Sequence, residues 1–531
     1  MFKMKKNLIA VLACLCVAAG SFAACGEQGS SIHSSFDPSS EANSSPEIEN
    51  SSSEDIENSS SESSTSSTDD YENPPEEVWE DWEEDDSVAT QGLHFILNED
   101  GTSYAVKGVG TAVDKNIVIP AEYNGLPVTD ILENAFWDKQ NIQTVVIPNT
   151  VTSIGYEAFW NCTSLIRISL PASVQSVGER AFYSCVALQK VKLGAGVQTI
   201  GDSTFGNCSA LQFIQCDPSN PYFSTVDGSL YDKSQSKIIR YAAGRGALKV
   251  TLPDSVIEVG NYAFYQATNL QKIVFGSNLT KIGNYAFAEC SALKAELTFP
   301  ETLAQIGNYA FSSCTNLEGE LSLPDSLQAI GAYAFNDCKR LTGTLTVPQS
   351  VTALGESAFY NCRNFTALEL HANITEIKDF TFYQCYNMHG ALTIPANVQK
   401  IGAKAFGWCY GFNEIRFNEG LLEIGESAFY YCYSAENTLT LPESLQKISN
   451  TAFAHCRSLS AAVIGGGVNE IGVEAFLDCV ALKALSFVDP NGWYRTDATG
   501  TRPVAAAELS DSQKAATYFT KNYATSSWNK K

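Results

Sequence analysis

A solenoid of stacked coils is the fold this chain predicts, and three observations carry the prediction. One phrase returns fourteen times between Phe136 and Phe476. Twelve of the thirteen gaps between its anchoring phenylalanines are 23 or 24 residues, and the exception, Phe205 to Phe264, is 59. Apolar residues also keep fixed places within each copy, as residues 151–171, VTSIGYEAFWNCTSLIRISLP, show in full. One such copy cannot bury its apolar face alone, so neighbours must stack.

A period of this length belongs to leucine-rich-repeat architectures. The fold class is therefore a leucine-rich-repeat solenoid, a β-rich right-handed coil of about 14 repeats, each with short strands and a short helical turn. Leu165-x-x-Ile168-x-Leu170 ends in the alternation of a strand with one buried face, and Pro171 stops it because proline has no N–H for a ladder. Val151-x-x-Ile154-Gly155 reads as a second short extended piece, with the glycine permitting the turn that follows. Ala158-Phe159-x-x-Cys162-x-x-Leu165 has three- and four-residue spacing, which predicts the helical turn. Small Ala lets that turn approach the sheet, and Phe fills the coil interior.

Twelve of the 16 cysteines, from Cys162, Cys185 and Cys208 through Cys479, hold one repeat position. Each meets an identical thiol above and below rather than a unique mate. The ladder therefore reads as reduced, buried thiols packing as small hydrophobes, against disulfides or a metal whose ligands must converge on one point. Lys139 and Ala267 fill the slot in the first and fifth repeats, so size is expected to matter there more than sulfur.

Residues 1–24 read as a signal peptide, with Lys3, Lys5 and Lys6 before an apolar run and small residues before Cys25. Ala23-Ala24-Cys25-Gly26 resembles a bacterial lipobox, which implies cleavage before Cys25 and a lipid anchor on its sulfur. Phe22 departs from the usual Leu, and ordinary cleavage at the Ala-rich site stays open. Residues 25–88 follow as a disordered Ser/Glu/Asp-rich stalk. Twenty acidic residues and no Lys or Arg lie between Gly26 and Asp86, so most of the net charge of −25 belongs to this stretch. Such a segment cannot bury enough surface to fold. A passive tether is the plain reading. The acidic run from Glu76 to Glu83 offers calcium or a basic partner as the alternative, although it lacks the glycine and ligand spacing of a calcium loop.

Residues 89–127 are expected to cap the first coil with a β-hairpin turning at Asn98-Glu99-Asp100-Gly101, and the solenoid then runs over 128–487. The long gap predicts an inserted hairpin at about 217–249, with Leu230-Tyr231 and Ile238-Ile239 flanking a polar turn and projecting between repeats four and five. Residues 488–531 form a C-terminal cap, where Ser510-x-x-Gln513 reads as a capping box opening a short helix through Phe519.

The phrase Ile-Gly-x-x-Ala-Phe-x-x-Cys-x-x-Leu-x-x-Ile-x-Leu-Pro resembles the BspA-type leucine-rich repeat (LRR_5) from Gly92 to about Phe487. Asp227-Gly228-Ser229-Leu230-Tyr231 is similar to an interruption common in that family. The resemblance implies a secreted or surface-anchored bacterial protein, of a kind that in some members adheres to host matrix proteins or other cells. It supplies no binding residues, because the shared positions build the core.

Signatures of chemistry are missing from the chain. His33, His94, His371, His389 and His455 stand at no metal spacing, and no nucleophile elbow, phosphate loop or His-Glu-x-x-His occurs. No catalytic residue, metal or cofactor is expected, and an acidic chain without a basic stripe makes nucleic acid an unsuitable partner. The outward strand positions offer Arg167, Lys190 and Lys192 as a modest basic patch, which reads most simply as a solvated face.

Aromatic residues gather elsewhere. Tyr262, Tyr285, Tyr309 and Tyr333 share one register in four consecutive repeats. Tyr360, Tyr383, Tyr386, Trp408, Tyr410, Tyr430, Tyr431 and Tyr433 form a denser set, one, two or four places after the framework Phe. Tyr and Trp join an apolar face to a polar tip, which suits both protein interfaces and sugar stacking, so these eight are the candidate ligand-binding residues. The competing reading is that they shield seams between coils. The function expected is non-catalytic recognition of an extracellular protein or glycan, with membrane contact through the N-terminal lipid alone. The rival is a structural envelope spacer or self-assembling surface component.

Overall fold

The computed structural model describes Trp82 and residues 88–530 apart from Asn437. The leader over 1–24, Cys25 and nearly all of the acidic stretch lie outside the described residues. Those described belong to one compact unit that spans residues 69–531.

Most coils carry two strands. The short one, such as Ser153–Ile154, pairs in parallel with Asp130 and Ile131 of the coil before and with Ser176–Val177 of the coil after. The longer one, such as Arg167–Leu170, pairs in parallel with Lys190–Leu193, Arg167 opposite Lys190 and Leu170 opposite Leu193. Burial alternates along both, so Ile168 and Leu170 point inward while Arg167 and Ser169 point out. Charges on the short strands are staggered along the stack. Lys400 lies 3.1 Å from Glu376, and Lys447 lies between Glu423 and Glu470 at 3.8 and 3.5 Å. Exposed pairs of this kind contribute about 0–1 kcal/mol each.

The helical turn expected around Ala158-Phe159-x-x-Cys162 is not a helix. Glu157 and Asn161 both adopt left-handed conformations, with φ of 52° and 57°, and the same two places repeat in coil after coil. Alternate N–H groups then leave the coil: Phe159 donates to the Ala181 carbonyl at 2.7 Å and Asn161 to that of Tyr183 at 2.8 Å. Those between them close local turns, Trp160 onto Glu157 at 3.0 Å and Cys162 onto Phe159 at 3.2 Å. A helix would use all of these donors internally, and the coils could not bond to one another there.

The framework phenylalanines stack into an interior column. Phe136 and Phe159 lie 4.9 Å apart, Phe264 and Phe287 4.7 Å, and Phe335 and Phe359 5.5 Å, with planes 1–12° apart. The cysteines form a second column beside it. All thirteen described cysteines are unpaired and buried. The glycine of the Ile-Gly pair has a different role from the one expected. A Cβ on Gly155 would stand 2.5 Å from the Glu133 nitrogen, so the residue is small because adjacent backbones touch.

The long gap holds the expected hairpin, Ser229–Asp232 antiparallel to Lys237–Arg240 with Tyr231 opposite Ile238, but the hairpin is built into the stack as part of another coil and does not project. Phe223–Val226 and Ser229–Asp232 pair antiparallel through a turn at Asp227-Gly228. Lys237–Arg240 then enters the short-strand ladder, parallel to Glu258–Val259. Tyr241 takes the next place in the phenylalanine column and stacks on Phe264 at 4.8 Å. Leu230 and Ile238 are fully buried, and that burial is what draws the insert into the stack.

The ends are covered differently. His94–Leu97 and Tyr104–Gly108 form the N-terminal hairpin, and its second strand runs parallel to Leu126–Ile131. At the other end Ser527–Lys530 lies antiparallel against the last short strand, Ile471 opposite Trp528. The helix of the tail is capped by Asp511 and not Ser510. The Asp511 carboxylate accepts from the Gln513 and Lys514 N–H groups, while Ser510 bonds back to the Ala506 carbonyl at the end of Ala506–Ser510. A carboxylate is the stronger acceptor for two unpaired N–H groups.

Candidate functional site

The turn geometry sets three outward columns relative to each framework Phe. The residue one place on, such as Tyr360, Tyr383 and Tyr430, follows the Phe directly. The residue two places on is the left-handed one, with φ of 63° at Trp408 and 62° at Tyr431. The residue four places on supplies Tyr386, Tyr410 and Tyr433. Because coils repeat every 23 or 24 residues, each column brings like positions side by side.

All eight candidate rings are half-buried. Tyr386 stacks on Tyr410 at 5.2 Å, and Tyr410 on Tyr433 at 5.0 Å. Trp408 lies 4.7 Å from Tyr431, and Tyr431 meets Tyr430 and Tyr433 edge-on at 4.4 and 5.1 Å. Tyr360 and Tyr383 form a separate stacked pair at 5.5 Å. Gly407 makes room for the Tyr383 ring, since an added Cβ would sit 3.0 Å from two of its carbons.

Three further side chains join the cluster that the sequence reading missed. His455 stacks on Tyr431 at 4.4 Å, Arg457 lies over Tyr433 at 5.6 Å, and Arg363 lies over Tyr386 at 5.3 Å. Their signal was positional: His455 continues the Trp408–Tyr431 column, and both arginines stand four places after a framework Phe. Asp478 accepts from His455 Nδ1 at 2.9 Å and pairs with Arg457 at 2.8 Å. Burial opposes ionisation of Asp478, but those two donors outweigh it and hold its carboxyl below the usual range. Burial pushes the hydroxyls of Tyr410 and Tyr430 up to about 12 and raises Tyr360, Tyr383 and Tyr433, so these rings stay neutral donors at physiological pH.

The Tyr262–Tyr333 stripe differs in build. Its rings lie face to face at 4.6–4.8 Å, with planes 2–6° apart, so each covers its neighbour. In the denser cluster the planes meet at 13–89°, which leaves several rings standing at angles to one another. Among the described residues no group of three or more His, Cys, Asp or Glu gathers as a metal site, and no helix is long and apolar enough to cross a membrane.

Comparison with known proteins places this coil. The family model described as BspA type leucine rich repeat region matches residues 129–244, 236–319, 319–391 and 389–492. No curated protein sequence matches the chain. Among solved structures, a leucine-rich repeat protein from Bacteroides ovatus is 23% identical, with 75% of this chain and 94% of that one covered and a TM-score of 0.45. A leucine rich cell surface protein from Faecalibacterium prausnitzii is 22% identical over 76% and 94%, with a TM-score of 0.35. The pneumococcal vaccine antigen PcpA is 18% identical over 68% and 92%, with a TM-score of 0.38. With the repeat pattern matched from residue 129 to 492, the chain belongs to the BspA-type leucine-rich-repeat family.

Proposed function

We propose that this is a non-catalytic recognition or adhesion protein, held at the outer surface of a bacterial cell by a lipid on Cys25. It binds an extracellular protein or glycan through the aromatic cluster of Tyr360 to Tyr433. The observation that supports the site is the unbroken ring contact from Tyr386 to His455, which crosses four coils. Tyr and Trp grouped in one area are the residue types that dominate binding energy at interfaces. Arg363, Arg457 and Asp478 at its edge add charged hydrogen-bonding groups. The cell-surface placement rests on the basic and apolar leader and on Ala23-Ala24-Cys25-Gly26.

Trp408→Gly and Tyr431→Gly in the full chain test the reading. Glycine adopts the left-handed backbone of both positions without steric cost, so the coil is retained. Binding to a glycan array or a panel of matrix proteins is expected to fall by about tenfold or more, with little change in melting. Normal binding by both variants would move recognition elsewhere, with the Tyr262–Tyr333 stripe next in order.

A further inference from the structure

Trp82 lies half-buried against the outward face of the longer strands. The Lys192 ammonium stands 4.6 Å from its ring centroid and the Arg167 guanidinium carbon 5.7 Å. Both distances fall within the range of a cation–π contact. Parallel register sets Arg167 beside Lys190, with Lys192 two residues along the same strand and on the same outward face. The basic character continues across the insert. Arg245 covers Phe213, the residue opposite Lys190, at 5.6 Å, and Lys249 stands opposite Lys272.

The sequence around Trp82 has the opposite charge. Residues 76–86, EEVWEDWEEDD, hold eight carboxylates and no base. The basic patch and the acidic run, two separate features of the sequence, thus meet at one described side chain.

We propose that this basic strand face is a docking surface for an acidic, tryptophan-bearing peptide, and that the chain's own segment around Trp82 is its occupant. Two physical terms support the choice. Tryptophan is the best aromatic partner for a cation, and this one is shared by two. Flanking carboxylates Glu80, Asp81, Glu83 and Glu84 match a row of Lys and Arg, and such complementarity selects this occupant over a neutral or basic one. Val88 begins the continuous described chain only six residues on, so the segment meets its surface at an effective concentration in the millimolar range. The Trp82 end of the acidic stretch is then a bound strap and not a passive spacer. This holds or fails independently of the aromatic cluster.

The test uses the full chain and a fluorescein-labelled peptide of residues 76–86, followed by anisotropy. Wild type is expected to take up the peptide weakly, because the site is filled in cis. A variant with Glu80→Gln, Asp81→Asn, Trp82→Ala, Glu83→Gln and Glu84→Gln should bind it about tenfold tighter or more. Adding Arg167→Glu and Lys192→Glu should abolish that gain, and raising NaCl to about 0.3 M should weaken it. Both reversed residues sit on the outward face, and equal melting temperatures check that the coil is intact. In parallel, glutamyl endopeptidase should cut after Glu80 and Glu83 several-fold faster when Arg167 and Lys192 alone are reversed. The proposal is overturned if the emptied variant binds the peptide no better than wild type, if charge reversal leaves that affinity unchanged, or if cutting rates are equal.

Discussion

The Cys362 thiol donates to the carbonyl of Phe335 in the coil before it, 3.1 Å away. The same carbonyl already accepts the Cys338 N–H at 3.1 Å, so the thiol fills its second lone pair. The other ladder cysteines repeat the contact, Cys185 onto Phe159 at 3.2 Å and Cys479 onto Phe453 at 3.1 Å among them. Sulfur therefore links each coil to the previous one, in addition to filling space. Cys362→Ala should destabilise the protein by about 1–2 kcal/mol through lost volume and a lost donor. Cys362→Val restores volume without the donor and should still cost about 0.5–1 kcal/mol. Urea unfolding midpoints measure both, and a valine variant as stable as wild type would return the slot to a matter of size.

The same column makes the fold sensitive to alkali. Burial pushes the Cys162, Cys208 and Cys290 thiols up to about 12 and holds Cys314, Cys338 and Cys362 well above their ordinary value. The folded values are raised, so the unfolded chain loses these protons first. Stability is complete below pH 9 and declines as pH climbs from 9 toward the folded values. Each thiol loses about 1.4 kcal/mol of stabilisation between pH 8 and 10. Over these six thiols, melting temperature should drop by on the order of 10 °C across that interval under reducing conditions. A flat profile from pH 8 to 10 would contradict the burial of these thiols.

The columns of Phe and Cys were legible in the sequence because one residue type returns at each place and stacking in register is the only way to bury them all. The turn between strands was not. Its left-handed places are filled by Glu157, Asn161, Tyr309 and Trp408, none of them the glycine that normally marks such a conformation. Three- and four-residue spacing then imitates a helix. The insert hid its coil for a similar reason: Tyr241 stands in the phenylalanine column without an Ala before it. The aromatic candidates were legible as a group. Their extension to His455 and Arg457 required reading down columns, since neither residue type matches the tyrosines it joins.

Cys25 lies outside the described residues, so its role is tested in cells. A diacylglyceryl thioether at Cys25 would make mature protein partition into detergent, as about two signals of anchoring strength are needed for stable attachment and a diacylglycerol supplies two chains. Cys25→Ser should release the protein into the medium or leave an unprocessed precursor. Identical detergent partitioning of wild type and variant would assign the leader to ordinary cleavage.

Arg240 presents the least comfortable side chain in the stack. It is 3% exposed, at the junction where the insert joins the fifth repeat. Its Nη1 donates to the Tyr262 and Tyr265 carbonyls at 2.8 and 3.4 Å, but Nε and Nη2 are buried without hydrogen-bond partners among the described residues. The Tyr262 carbonyl also accepts the Tyr265 N–H at 3.1 Å, so it keeps a partner when the arginine is removed. A buried charge with idle donors costs several kcal/mol of desolvation, and replacing such a group with an apolar one of similar volume is often neutral or stabilising. Arg240→Met should therefore leave the melting temperature unchanged or raise it. Arg240→Ala should lower it, because the space stays empty and a cavity of that size costs about 2–5 kcal/mol. If Met proves as damaging as Ala in calorimetry, the idle donors of Arg240 have a partner in solution, and the junction between the fourth and fifth repeats is the place to look for it.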